Sequence, residues 1–254
     1  MKLDLMCPTC KSDDIMKNGT TRRGKQNYKC RDCGRQFVED PQWKPRDKDT
    51  TALINLLLLE RIALAGIARV TGVAQSWLQK YVNDKYEHMP QMAEVLAKRT
   101  GKLIVQMDEL WSFVDCKGHK QWVWLAIDVI TREIIGCYIG DRSRKSAQAL
   151  WKSLPPSYRQ CAKVYTDYWE AYQTVIPSKR HFAVGKESGL TNYIERLNNT
   201  LRQRISRLVR KTLSFSKKLE NHLGAIWNYI HEYNRQVRKR IADGGDEVIF
   251  SILY

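Results

Sequence analysis

The sequence predicts an α/β fold, a sheet flanked by helices and preceded by two small modules. Three observations lead there. Residues 103–114, 121–130 and 133–139 are apolar, aromatic-rich stretches joined by short turns at Lys117-Gly118 and Thr131-Arg132, the pattern of an antiparallel meander. The chain after them alternates helical and strand-like periodicity, and such a sheet needs helices over its faces. Ahead of them lie a Cys-rich polar segment and a helical one, separated by Asp40-Pro41-Gln42-Trp43-Lys44-Pro45, whose prolines discourage regular structure.

Taken in order, residues 1–40 form the Cys-rich module and 47–95 the helical one, and Gly101 marks the next boundary. After the three strands, 146–154 reads as a short helix ended by Pro155-Pro156, 162–165 as a fourth strand and 169–176 as a helix. One long helix runs onward from Thr191. The main domain therefore spans 101–233, and 234–254 is a basic tail with no assigned role.

Forty-three Lys and Arg against 27 Asp and Glu leave a formal charge of +16, which favours a polyanionic partner because each neutralised phosphate releases condensed counterions. A basic surface also suits anionic membrane, but the longest apolar run, 122–127, falls far short of the ~18 residues of a spanning helix. The N-terminus lacks a basic-then-apolar signal pattern, so the chain is expected to stay inside the cell. Seven cysteines, an odd number, fit a reducing compartment better than a disulfide framework.

Four of those cysteines form two matched pairs, Cys7-x-x-Cys10 and Cys30-x-x-Cys33, with nineteen residues between. That spacing suits one structural Zn²⁺ held by four thiolates, which helps fold a segment too short to build its own core. A redox dithiol is the alternative, but it would not need two pairs. Arg22, Arg23, Lys25, Lys29, Arg31 and Arg35 on the same module either contact DNA or simply keep it solvated.

Residues 64–82 read as a helix-turn-helix. A first helix ends near Thr71-Gly72, and Val73, Trp77, Leu78, Tyr81 and Val82 recur at helical spacing in the second. The second helix would offer Gln75, Ser76, Gln79 and Lys80 to a major groove. An ordinary helical hairpin gives the same short pattern.

Three acids stand out. Asp108 lies in the apolar strand Leu103-Ile104-Val105-Gln106-Met107-Asp108, where a bare carboxylate is costly unless a cation compensates it. Asp167 lies just past the strand at 162–165, where α/β sheets commonly present chemistry. Glu195 opens a helix whose apolar stripe is Ile194, Leu197, Leu201, Ile205 and Leu208, and it shares a neighbouring face with Asn199 and Arg202. Carboxylates on two strands and a helix suit two Mg²⁺ or Mn²⁺ ions, not Zn²⁺. Spacing alone does not choose them: Glu109, Asp115 and Asp128 compete, and Asp128 ends an apolar strand of its own.

Several stretches together carry a likeness: Met107-Asp108-Glu109-Leu110-Trp111, Thr166-Asp167-Tyr168-Trp169-Glu170-Ala171-Tyr172, His181, Gly185-Lys186, Ile194-Glu195-Arg196-Leu197-Asn198-Asn199-Thr200-Leu201-Arg202, and Arg207-Leu208-Val209-Arg210-Lys211-Thr212-Leu213-Ser214-Phe215-Ser216-Lys217. On these the chain resembles the insertion-sequence-one family of DDE transposases. The likeness covers most of the chain to about Tyr233, including the ribbon and helix-turn-helix. It implies an RNase H-like mixed sheet flanked by helices, with Asp108, Asp167 and Glu195 as the catalytic, Mg²⁺-binding triad. It also implies double-stranded DNA partners, the element's terminal inverted repeats and a target, with strand cleavage followed by strand transfer. A homodimer or larger assembly on DNA and a cytoplasmic, nucleoid-associated bacterial location follow from the same likeness. Members of that family are often made by frameshifting between two reading frames, whereas this chain is continuous.

Two further expectations concern support. Asn199, Arg202, Arg207, Arg210 and Lys211, with Arg196, Arg204, Lys217 and Lys218, read either as a solvated face or as a track for the DNA backbone. His181 either contacts phosphate and helps protonate the leaving strand or is structural. An RNase H-fold nuclease or resolvase that cuts without joining is the alternative enzyme. A non-enzymatic DNA-binding regulator derived from such an element is the alternative outside enzymology.

Overall fold

The computed structural model describes residues 5–21, 24–39, 48–96, 103–209 and 214–243. The expectations for Arg22, Arg23, Arg210, Lys211, the proline-bearing stretch and the tail past 243 lie outside the described residues. The chain forms two compact units, Met1–Ala52 and Leu53–Tyr254.

The first unit is a three-stranded antiparallel ribbon, β1 (Ile15–Thr20), β2 (Gln26–Cys30) and β3 (Gln36–Val38), in that order across the sheet. Its apolar packing amounts to little more than Tyr28 against Phe37, ring centroids 5.9 Å apart. Among its described residues only Cys7 and Cys30 are fully buried. The sulfur cluster is therefore the core of this unit.

Helix α1 (Lys48–Leu57) crosses the division between units, and from Leu53 it belongs to the second. There α2 (Leu64–Thr71) and α3 (Gln75–Glu87) form the expected hairpin. Gly72 makes the corner at φ 66°, a left-handed conformation that glycine adopts without a Cβ penalty. Ile54, Ile67, Val73, Leu78, Val82 and Tyr86 are its buried core. Helix α3 then docks on the long helix α8 (Leu219–Ala242), whose Gly224 permits close contact. A Cβ on Gly224 would lie 2.2 Å from the Cβ of Tyr86.

The sheet contains β4 (Ile104–Phe113), β5 (Lys120–Asp128), β6 (Ile134–Gly140), β7 (Lys163–Thr166) and β8 (His181–Ala183). Their order is β6-β5-β4-β7-β8. Strand β5 is antiparallel to both neighbours, while β7 and β8 continue parallel to β4. This is the mixed sheet of an RNase H-like domain. One face is covered by α4 (Arg144–Ser153), α5 (Pro156–Cys161) and α6 (Glu170–Gln173), which share a buried core with Val105, Met107, Trp124 and Val164. The other is covered by α7 (Asn192–Arg204) and α8 over Leu110, Val123, Leu125 and Ile127.

The structure departs from the sequence reading in four places. His181 lies in a fifth strand, too short at three residues for alternation to reveal. Pro155-Pro156 does end α4, but Pro156 also opens α5 in its first turn, where a missing N–H and fixed φ do no harm. The helix read at 169–176 is only Glu170–Gln173. The long helix from Thr191 is two: Ile205 leaves helical geometry and is buried, a 3₁₀ turn follows at Ser206–Leu208, and α8 starts at Leu219. Helix α8 then runs unbroken past residue 233 to Ala242.

His222 on α8 is fully buried, its Nε2 2.8 Å from Ser112 Oγ on β4 and its Nδ1 without a partner. Burial, with Arg207 nearby, pushes its pKa down to about 4. The native state therefore holds a neutral imidazole that the unfolded chain protonates below about pH 6.5. The stability this provides is present above pH 6.5 and is lost as pH falls toward 4. Denaturant unfolding between pH 7.5 and 4.5 should show a loss on the order of 3 kcal/mol in the native chain that His222→Gln lacks. Equal pH slopes in the two proteins would contradict this.

Candidate active site

Strand β4 is buried on both faces, so alternate residues meet different helices. Gln106 and Asp108 face α7. Gln106 is buried, and its Oε1 accepts the backbone N–H groups of Tyr193 (2.9 Å) and Ile194 (3.0 Å), at the start of α7. Those groups have no partner within the helix. One turn further, Asn198 donates from Nδ2 to Asp108 Oδ2 at 2.8 Å, while Asp108 Oδ1 accepts the Glu109 N–H at 2.8 Å. Burial raises the Asp108 pKa to about 7; Glu109 and Asp167 push it the same way, and those two N–H donors offset only part of the effect.

Asp167 follows the end of β7, which pairs with β4 through Gln106 and Tyr165. The two carboxylates thus stand at the same level on neighbouring strands, and Asp167 Oδ1 accepts the Trp169 N–H at 3.0 Å. Glu195 lies in the first turn of α7, three residues before Asn198, with Oε1 accepting the Thr191 hydroxyl at 2.8 Å. Among the described residues, the oxygens of Asp108, Asp167 and Glu195 do not all gather within 4.8 Å of one another.

The competing acids have other partners. Glu109 faces α6: Arg142 Nη2 pairs with its Oε1 at 2.7 Å and Tyr172 donates to its Oε2 at 2.9 Å. Asp128 is fully buried and closes the β5–β6 turn, Oδ1 accepting Ile130 N–H (2.7 Å) and Thr131 N–H (3.0 Å) and Oδ2 the Tyr158 hydroxyl (2.5 Å). Asp115 sits in the exposed β4–β5 hairpin, where its donor atoms and those of Cys116 and His119 lie within 4.8 Å of one another.

His181 on β8 shares a 2.8 Å hydrogen bond between Nε2 and Thr166 Oγ1, and burial lowers its pKa. Because the Thr166 hydroxyl donates to the Asp167 carbonyl at 2.7 Å, Nε2 carries the proton and donates to Thr166. Of the residues expected to meet DNA, Gln75, Ser76, Gln79, Lys80 and Asn199 are exposed. Arg202 is half-buried and donates to the carbonyls of Trp111 (3.4 Å) and Leu208 (3.2 Å). Arg207 is half-buried, donating to Ser216 Oγ at 2.7 Å with its guanidinium 5.6 Å from the Tyr86 ring centroid. The sequence reading missed Gln106, Asn198, Glu109, Arg142 and Tyr172 as partners of the site. A glutamine inside an apolar strand was the one available signal, since it must find a partner when buried.

In the first unit all four ribbon sulfurs lie within 4.8 Å of one another, Cys7 to Cys33 at 3.5 Å and Cys10 to Cys30 at 3.6 Å. A tetrahedral Zn²⁺ with bonds of ~2.3 Å spaces its sulfurs by about that much. The Cys10 backbone N–H draws the Cys7 thiol down to about 6, while the neighbouring sulfurs push the Cys10 and Cys33 thiols up, so four thiolates together need a shared cation. Cys7, Cys10, Cys30 and Cys33 fit a structural zinc ion.

Sheet order and helical cover define an RNase H-like domain. The IS1 transposase family model matches residues 102–236, and the zinc-ribbon model of the InsA N-terminal domain matches residues 3–34. The chain belongs to the IS1 transposase family. It is 35% identical over 131 residues to the insertion element iso-IS1n protein InsB of Shigella dysenteriae, covering 52% of this chain and 96% of that one. It is 35% identical to the IS1 protein InsB of Shigella flexneri over 50% of this chain and 92% of that one. The IS1 2 protein InsB of Escherichia coli (strain K12) is 33% identical over 50% of this chain and 72% of its own. A chain in a simian T-cell lymphotropic virus intasome in complex with PP2A regulatory subunit B56 gamma aligns at TM-score 0.32 and 12% identity, over 66% of this chain and 64% of that one, too distant to support an argument. No described helix is long and apolar enough to cross a membrane.

Two outcomes follow. Chelation of zinc, or Cys30→Ser, should open residues 5–39 to protease while the unit from Leu53 stays resistant; equal resistance in the ribbon would rule out a metal-held core. Gln106→Leu leaves the Tyr193 and Ile194 N–H groups unpaired and should cost about 1–3 kcal/mol in denaturant unfolding. A cost near zero would mean that Gln106 does not anchor α7.

Proposed function

We propose that this chain binds the terminal inverted repeats of its own element and cuts and joins DNA strands with Asp108, Asp167 and Glu195. The observation that carries the reading is the placement of Asp108: a half-buried acid with no cationic partner among the described residues, level with Asp167 and tied through Asn198 to the helix that bears Glu195. A cation would compensate the desolvation and the neighbouring negative charges that raise its pKa, and an all-oxygen donor set suits Mg²⁺ or Mn²⁺. Two such ions, when bound, neutralise the phosphate and activate the attacking oxygen for in-line displacement.

The residues have separate tasks. Asp108 and Asp167 supply oxygens from adjacent strands, and Asn198 and the Glu109 N–H fix the orientation of Asp108. Glu195 joins them by rotating away from Thr191. Thr166 and His181 brace the backbone at Asp167. The same carboxylates serve both steps, hydrolysis that frees a 3′-hydroxyl and attack of that hydroxyl on target DNA. Gln75, Ser76, Gln79 and Lys80 on the open side of α3 read the element end, and Asn199, Lys217 and Lys218 meet the backbone. Arg202 and Arg207 shape the fold around them. Pairing two ends calls for a dimer or larger assembly.

Purified protein, duplex bearing the element end and Mg²⁺ should yield 3′-nicks and joined products. Asp108→Asn, Asp167→Asn and Glu195→Gln should each lower both by about three orders of magnitude. Asp128→Asn should keep the chemistry and lose about 1–3 kcal/mol of stability. Undiminished cleavage in any triad variant would remove that residue from the site. Nicks without joined products would assign a nuclease instead.

A further inference from the structure

Arg142 lies just past the C-terminal end of β6, at the edge of the sheet where β7 delivers Asp167. Its guanidinium is fixed on three sides. Nε and Nη2 both donate to Glu109 Oε1, at 2.8 and 2.7 Å. The Trp122 and Trp169 rings lie 4.7 and 4.1 Å from its Cζ. Two of these three anchors lead back to a candidate carboxylate: the Glu109 N–H donates to Asp108, and the Trp169 N–H donates to Asp167.

A guanidinium carries five N–H donors in a rigid plane. Glu109 takes two, which leaves both hydrogens of Nη1 and one of Nη2. No described residue accepts from Nη1, and the side chain is 38% exposed although its Glu109 partner is 1% exposed. Aromatic rings and a buried carboxylate therefore hold the plane of an exposed side chain, and the Nη1–Nη2 edge has no acceptor among the described residues. That edge matches two oxygens of a phosphate group, the bidentate geometry that distinguishes Arg from Lys. An arginine needed only to neutralise Glu109 would not have to keep it open.

We propose that Arg142 is a phosphate-binding residue, its open Nη1–Nη2 edge gripping one backbone phosphodiester of the DNA strand that passes Asp167. This rests on the DNA-processing reading above. It adds a subsite outside the triad and outside α3, and it places the strand by a contact that does not depend on a divalent ion.

The test combines variants with DNA altered at single phosphates. Full-length protein is titrated, without divalent ions, against duplexes bearing the element end in which one phosphate at a time is a neutral methylphosphonate. For the native chain, one substitution should weaken binding roughly 10-fold or more. Arg142→Gln should show a comparable loss on unmodified DNA and little further loss at that phosphate. Its salt dependence should be shallower by about one phosphate. Arg142→Lys keeps the charge but not the fork; it should recover the salt slope and still lose part of the coupling at the same phosphate. Strict additivity at every phosphate overturns the assignment. Should Arg142→Gln not fold, the Arg142→Lys series decides by the same criterion. Because binding is read without cleavage, a chain that fails to cut can still pass, so failure of the enzymatic reading remains distinguishable.

Discussion

Gln106 and Asp108 sit two residues apart on one face of a buried strand, and the placement of α7 follows from how they are satisfied. A polar group withdrawn from water costs free energy unless it regains hydrogen bonds. The start of a helix offers spare N–H groups, and Gln106 Oε1 takes two of them. With that end fixed, Asn198 arrives one turn later at Asp108, and Ile194, Leu197 and Leu201 fall into the core beside Leu110. A polar seam sets the position, and apolar burial supplies most of the adhesion.

The two consecutive acids of β4 show how burial separates structure from chemistry. Asp108 and Glu109 face opposite sides, and burial raises the pKa of both. Glu109 has Arg142 to neutralise it and Tyr172 to fix it, whereas among the described residues Asp108 has only neutral N–H donors. Asp128, fully buried, accepts from two backbone N–H groups and a tyrosine. An acid with its partners in place is finished, while one held in position without a counter-charge is ready for a cation.

That distinction also marks how much could be read from the sequence. The paired cysteines, the meander and the Gly72 corner were legible because each is local, written in spacing or periodicity within a few residues. Strand β8 was not, since three residues show no alternation and it pairs only by lying along β7. Nor was the break after Arg204, because the apolar period continues through Ile205 and Leu208 while the backbone turns to bury them in another direction. Asp128 rivalled Asp108 by composition; distant partners, Tyr158 for the one and Asn198 for the other, help tell them apart. Long-range partners decide the role of a buried charge, and periodicity does not record them.

The break after Arg204 has a consequence for the basic run. On one continuous helix those arginines would have lined a single track. Instead Arg202 reaches back to the Trp111 and Leu208 carbonyls, and Arg207 turns toward Tyr86 of α3 and Ser216. Tyr86 is also where α3 meets Gly224, and two residues earlier on α8 His222 bonds Ser112 of β4. Helix α3 is thereby indexed to the strand that carries Asp108 through close backbone packing and two polar contacts. All of these lie within the unit from Leu53 onward, so the hairpin that would read DNA is not a module hung on a linker. If α3 reads a base and Asp108 meets a phosphate, as proposed, packing would fix the distance between them, the condition under which a cut falls at one defined position.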